Sequence, residues 1–171
     1  EEVYTVALFS NHPIEEAVCV HLDTHSRTSV ALTKVLANSI FKRTPVYMDG
    51  IPHFEEGTCY DDCYLLIGDK VFEYEHLFRY KLDLALAWKK VTGMPFVFAV
   101  WIGNKDLPSA FLRDFDRALS YGTHHIPEVS RHIQAEYPGI PVQKYLSHYI
   151  QFDLTEEKRK AAEYFLQLIT S

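Results

Sequence analysis

A strand that runs directly into a helix start constrains this chain more than any other stretch. Across residues 18–36, Val18, Val20 and Leu22 alternate with Cys19 and His21 as the two faces of a strand do, and Val30, Leu32, Val35 and Leu36 then recur at near-helical spacing. Between them lies a polar hinge, Asp23-Thr24-His25-Ser26-Arg27-Thr28-Ser29, in which Thr24 or Ser26 can cap and hydroxyl residues line the first turn. Such a start aims unpaired backbone amides and the positive end of the helix dipole beyond the strand's carboxyl end, where an anion fits. The dipole contributes about 0.3–1 kcal/mol and each hydrogen bond to a charged group about 1.5–3 kcal/mol, so a few donors suffice to hold one carboxylate. The same hydroxyls also suit a plain capping role, and this junction alone leaves both readings open.

The rest of the chain alternates in kind. Residues 4–9 read as a buried strand stopped by Ser10-Asn11-His12-Pro13, and if this strand runs parallel to the one ending at Asp23, Ser10 and Asn11 face the same crevice. The helix from about Arg27 is expected to run to Lys42, with Pro45 beyond it, followed by a short strand over residues 46–48 and a loop to Asp62. Residues 63–67 form a further apolar strand ended by Gly68-Asp69, where Gly68 permits close backbone approach to a ligand and Asp69 can cap the next turn. Residues 72–80 suit no regular element, and Leu82, Leu84, Leu86 and Trp88 then open a helix ending at Thr92-Gly93. The most continuously apolar run, residues 95–102, reads as a central strand buried on both faces. Everything after it reads as helix: one from Pro108 to Tyr121, one to about Ala135, a short one from Pro141, and a last one opened by Thr155-Glu156-Glu157. The expected division is an α/β lobe over residues 1–102 and a helical segment, 103–171, that packs back on another lobe.

With 171 residues the chain can form one domain with a real core, or two small lobes. Its formal charge of -6 and lack of a basic face argue against nucleic acid as a partner. Nothing approaches the about 18 apolar residues of a membrane span, Glu1-Glu2-Val3-Tyr4 is unlike a signal peptide, and three cysteines make no disulfide framework. A cytoplasmic protein is therefore expected, and the chain is read as the remainder of something longer, since it does not begin with Met. His53, Cys59 and Cys63 lack the spacing of a zinc ribbon, and His124, His125 and His132 suit solvated or capping roles, so no metal is expected.

Four motifs resemble the chorismate dehydratases of the futalosine route to menaquinone. They are Ala7-Leu8-Phe9-Ser10-Asn11, the run from Leu22-Asp23-Thr24-His25-Ser26-Arg27-Thr28-Ser29 to Leu32, Leu66-Ile67-Gly68-Asp69, and the stretch from Leu82 through Thr92-Gly93-Met94-Pro95-Phe96-Val97-Phe98-Ala99-Val100-Trp101. The resemblance implies an α/β, periplasmic-binding-protein-like (type II) fold used as a cytoplasmic enzyme that dehydrates chorismate to 3-[(1-carboxyvinyl)oxy]benzoate without metal or organic cofactor. On this view Ser26, Thr28 and Ser29 bind a substrate carboxylate, and Arg27, Gly68 and Asp69 complete the binding set. Ser10 is the catalytic candidate and Asn11 faces the ring with it; no base stands out. The family's opening segment, with its Tyr-Leu-Asn type motif, has no counterpart here, so most of the amino-terminal lobe is expected to be absent or supplied by another chain. Helices left without that lobe would expose apolar surface or form a homodimer. Two alternatives share the fold: a non-enzymatic lobe binding a small carboxylate, and the sister lyase that makes 1,4-dihydroxy-6-naphthoate.

Overall fold

The computed structural model describes residues 2–170. Two compact units divide it, one comprising the residues up to Phe98 together with those from Leu154 onward, the other Ala99–Asp153.

The first unit is built on a mixed five-stranded sheet in the order β3-β2-β4-β1-β5. Its strands are β1 (Val6–Ser10), β2 (Cys19–Leu22), β3 (Val46–Asp49), β4 (Cys63–Ile67) and β5 (Tyr80–Asp83). β2 is parallel to β3 and β4, whereas β1 lies antiparallel between β4 and β5. Strand alternation sorts the side chains into two faces. Val6, Leu8, Val20, Leu22, Cys63 and Leu65 form one core with Leu32, Leu84, Trp88 and Phe165. Ala7, Phe9, Tyr64 and Leu66 form the other with Phe54 and Val71. The helices of this unit are α1 (Arg27–Val35), α2 (Ala37–Ile40), α3 (Asp69–Tyr74) and α4 (Leu84–Thr92), with α8 (Glu156–Thr170) returning from the end of the chain.

The structure departs from four expectations. Residues 72–80, expected to suit no regular element, begin inside α3 and continue as a 3-10 turn over Glu75–Leu77. The helix expected to continue to Lys42 is broken at Leu36, which caps α1 and opens the single turn of α2. Residues 80–83, given no strand by the sequence reading, form β5, whose Leu82 pairs with Leu8 at an edge of the sheet. Residues 95–102 form no strand. The antiparallel β1 already fills the place between β4 and β5, and this run instead lays Phe96 and Phe98 on the first core, with the Trp88 indole donating to the Pro95 carbonyl at 3.1 Å. Val100, Trp101 and Ile102 are exposed, so apolar continuity here marked neither a strand nor a segment buried on both faces.

Asp83 ties the sheet to its helices: one carboxylate oxygen caps α4 by accepting from the Leu86 amide at 2.9 Å, while the other accepts from the Val3 and Tyr4 amides at 3.1 and 2.8 Å. Gly93, in the left-handed conformation at φ 75°, closes α4.

The second unit holds α5 (Ser109–His124), α6 (Ile126–Ile133) and α7 (Val142–Lys144). His124, His125 and His132 each donate from Nδ1 to the carbonyl four residues earlier, at 2.6, 2.7 and 2.9 Å, so all three act locally on their helices.

Candidate active site

The four mutually parallel strands end on one edge of the sheet. Asp23, Gly50, Gly68 and Asp83 follow or finish β2, β3, β4 and β5 there. Because β1 runs the other way, its carboxyl end lies at the opposite edge, and the premise that put Ser10 and Asn11 into the same crevice as the α1 start does not hold. Ser10 is buried and its Oγ accepts from the His12 amide at 3.1 Å. Asn11 donates to the Tyr60 carbonyl at 3.3 Å and accepts from the Arg79 amide at 3.2 Å. Ser10 thus closes the turn after β1, and Asn11 ties that turn to the backbone at Tyr60 and Arg79. The structure thus brings together Ser26, Arg27, Thr28, Ser29, Gly68 and Asp69 on one edge and leaves Ser10 and Asn11 on the other.

At the start of α1 the capping role expected of the hydroxyls is met by Ser26. Ser26 has extended backbone, and its Oγ accepts from the Ser29 amide at 3.2 Å and meets Ser29 Oγ at 2.9 Å. The first helical bond runs from the Val30 amide to the Ser26 carbonyl. Ser26 and Ser29 are therefore committed to the cap, with Ser29 buried beneath it. The amides of Arg27 and Thr28 have no acceptor among the described residues and remain at the positive end of the dipole. Thr28 is half-buried beside them, and Arg27 is exposed with no ion pair among the described residues. Two amides, one hydroxyl and one guanidinium are the groups left to meet an anion.

Sequence reasoning missed the charged partners of this helix start. Asp23, which ends β2, is 2 % exposed; its Oδ2 accepts from Lys70 Nζ at 2.7 Å and its Oδ1 from His25 Nδ1 at 2.6 Å, with a further bond from the His25 amide at 3.2 Å. Lys70 reaches it from the first turn of α3, 47 residues away in sequence. Burial pushes the Asp23 carboxyl up, but the hydrogen bonds from Lys70 and His25 outweigh it and hold the group below the ordinary aspartate range. With Nδ1 against Asp23 and Lys70 Nζ 3.3 Å from the same nitrogen, the exposed His25 ring leaves Nε2 on its outer side. A polar residue following a strand end was the only local sign of Asp23's role. Nothing local signals Lys70.

Gly68 is the residue preceding α3, at φ 65° and ψ -136°, and no side chain caps that helix. Its importance is conformational: a Cβ there would meet no atom within 4 Å, so the space beside it is open, while the backbone region is one that L-residues avoid. Asp69 was expected to cap this turn and does not; it stands exposed in the first turn of α3.

A family model described as menaquinone biosynthesis matches residues 1–171. Among curated proteins, the chain is similar to the chorismate dehydratase of Thermus thermophilus, at 29% identity over 190 aligned residues that take in 98% of this chain and 68% of that protein. No helix among the described residues is long and apolar enough to cross a membrane.

Proposed function

The chain belongs to the menaquinone biosynthesis family that its whole length matches, and we propose that it is a chorismate dehydratase, forming the enolpyruvyl benzoate by loss of one water. The observation that carries the reading is the pair of unpartnered amides of Arg27 and Thr28 beside the Asp23–His25–Lys70 cluster. Chorismate is a dianion. One carboxylate seats on the two amides with the Thr28 hydroxyl, and the Arg27 guanidinium takes the second. His25 Nε2 accepts the ring proton, and the departing hydroxyl together with one proton makes up the water eliminated. Asp23 stabilises the imidazolium formed, and Lys70 keeps that carboxylate from repelling the substrate. Aromatisation drives the reaction, so positioning suffices and no metal or organic cofactor enters. The sheet unit is read as one lobe of a periplasmic-binding-protein-like fold, acting in the cytoplasm, where its three free cysteines persist. Self-association over α5, whose Phe111, Leu112 and Tyr121 are exposed, belongs to the same proposal and is measured by light scattering.

The purified protein is incubated with chorismate and product followed by absorbance and mass. Turnover is expected, with Thr28→Val raising KM and His25→Gln lowering kcat by about 10²-fold or more. Chorismate bound but unchanged would favour the solute-binding reading. Loss of binding and turnover together would overturn both.

A further inference from the structure

A second cluster of reactive side chains lies at the opposite end of β2 from the α1 start. Cys19 and His21 are two residues apart on that strand, so both project onto the same face of the sheet, the one that carries the Phe9, Tyr64 and Leu66 core. The parallel pairing of Val20 with Cys63 sets Asp62, the residue just before β4, beside them. One thiol, one imidazole and one carboxylate converge: their ligand atoms all lie within 4.8 Å of one another, and all three residues are half-buried.

Three further features separate this cluster from a chance meeting. The His21 ring stacks on Tyr64 with centroids 4.9 Å apart and planes 17° apart, which holds the imidazole in one orientation. Asp62 reaches the same ring at 3.0 Å. The Cys19 sulfur takes part in no hydrogen bond among the described residues, although it lies in this polar group. Strand backbone and packed ring thus fix Cys19 and His21, and Asp62 meets them from the residue before β4. Such orientation of a first set of ligands by their surroundings is what metal sites require.

We propose that Cys19, His21 and Asp62 form a three-ligand site for a thiophilic divalent cation, zinc being the metal that fits the set. A sulfur, a nitrogen and a carboxylate oxygen match its borderline-soft character, and a tetrahedral ion leaves its fourth position to solvent. The cation clips β2 to the start of β4, the two parallel neighbours that carry the candidate active site at their other ends. Its role is to brace the sheet, separate from the dehydration chemistry. This departs from the expectation of no metal, which weighed His53, Cys59 and Cys63 and the helical His124, His125 and His132 but not Cys19, His21 and Asp62. Two residues of one strand and a third that precedes another have no spacing signature.

The test uses tag-free, metal-stripped protein. Zinc is titrated in competition with a chromophoric chelator, and cobalt(II) is added separately to read the thiolate-to-metal charge-transfer band. One equivalent of zinc and a clear band are expected. Cys19→Ser should abolish the band, and Cys19→Ser, His21→Asn and Asp62→Asn should each weaken zinc binding by about tenfold or more, while Cys59→Ser leaves both readouts unchanged. Because a strand substitution can unfold the chain, each variant is checked by circular dichroism. As a second measurement, saturating zinc should raise the Tm of the parent and not that of folded Cys19→Ser. Absence of the cobalt band, binding that survives Cys19→Ser, or equal loss in Cys59→Ser would overturn the proposal and leave only adventitious binding by surface histidines.

Discussion

Asp23 is the residue on which the candidate site depends. Its carboxylate is buried and takes hydrogen bonds from Lys70 and His25, so removing Lys70 leaves a buried charge with one partner lost. Lys70→Met should therefore destabilise the protein by roughly 1.5–3 kcal/mol at neutral pH, read by urea denaturation. The pH dependence has a definite sign. A carboxyl whose folded pKa is depressed contributes stability that is complete above its unfolded value of about 3.9 and is lost as pH falls through the folded value. The parent should lose this contribution only below about pH 4, and the deficit of Lys70→Met should shrink over the same acid range as the carboxyl is protonated. A deficit that stays constant between about pH 7 and pH 3 would show that the lysine acts through packing of its stem.

At the scale of elements, short-range chemistry was legible and long-range pairing was not. The boundaries of β4, and Ser26 as one of two cap candidates with Thr24, were readable because alternation and a capping hydroxyl act within a few residues. β5 was missed because Tyr80-Lys81-Leu82-Asp83 is a polar mixture that becomes a strand only by pairing with β1. The turn from β4 into α3 gives the sharpest prediction at this scale. Gly68 has open space around its Cα but a positive φ, so Gly68→Ala should cost about 1–3 kcal/mol from backbone strain with no steric clash. A change below a few tenths of a kcal/mol by thermal denaturation would show that this turn relaxes freely. The strain would also tilt Lys70, two residues on, away from Asp23.

At the scale of the whole molecule, the sheet unit closes only when the end of the chain returns to it. Phe165 of α8 meets Trp88 edge to face at 5.7 Å and Phe96 at 4.9 Å, and Trp88 is fully buried among them. Phe165→Ala should cost about 3–5 kcal/mol, because the cavity opens against a rigid aromatic cluster. Trp88 fluorescence, isolated in a Trp101→Phe background that removes the largely exposed second indole, should shift to the red and become open to quenching. An unshifted spectrum with unchanged stability would place α8 outside the cooperative core. His25 and Lys70 should be unaffected in their chemistry as long as the sheet persists, since both belong to its other elements.

From its residues alone the chain determined a strand-to-helix junction with a hydroxyl-capped start, an α/β unit, and a likeness to one family, because alternation, capping and motif spacing are properties of neighbouring residues. Only the tertiary structure decided that β1 runs antiparallel, which removed Ser10 and Asn11 from the crevice and placed them in a turn at the far edge. It alone joined Asp23 to Lys70 and set Asp62 beside Cys19 and His21. Backbone hydrogen bonds form in either strand direction with only a small difference in stability, and direction is chosen by how the two faces bury their side chains together. That choice is made over the whole sheet, and it sets which residues from distant parts of the chain share an edge.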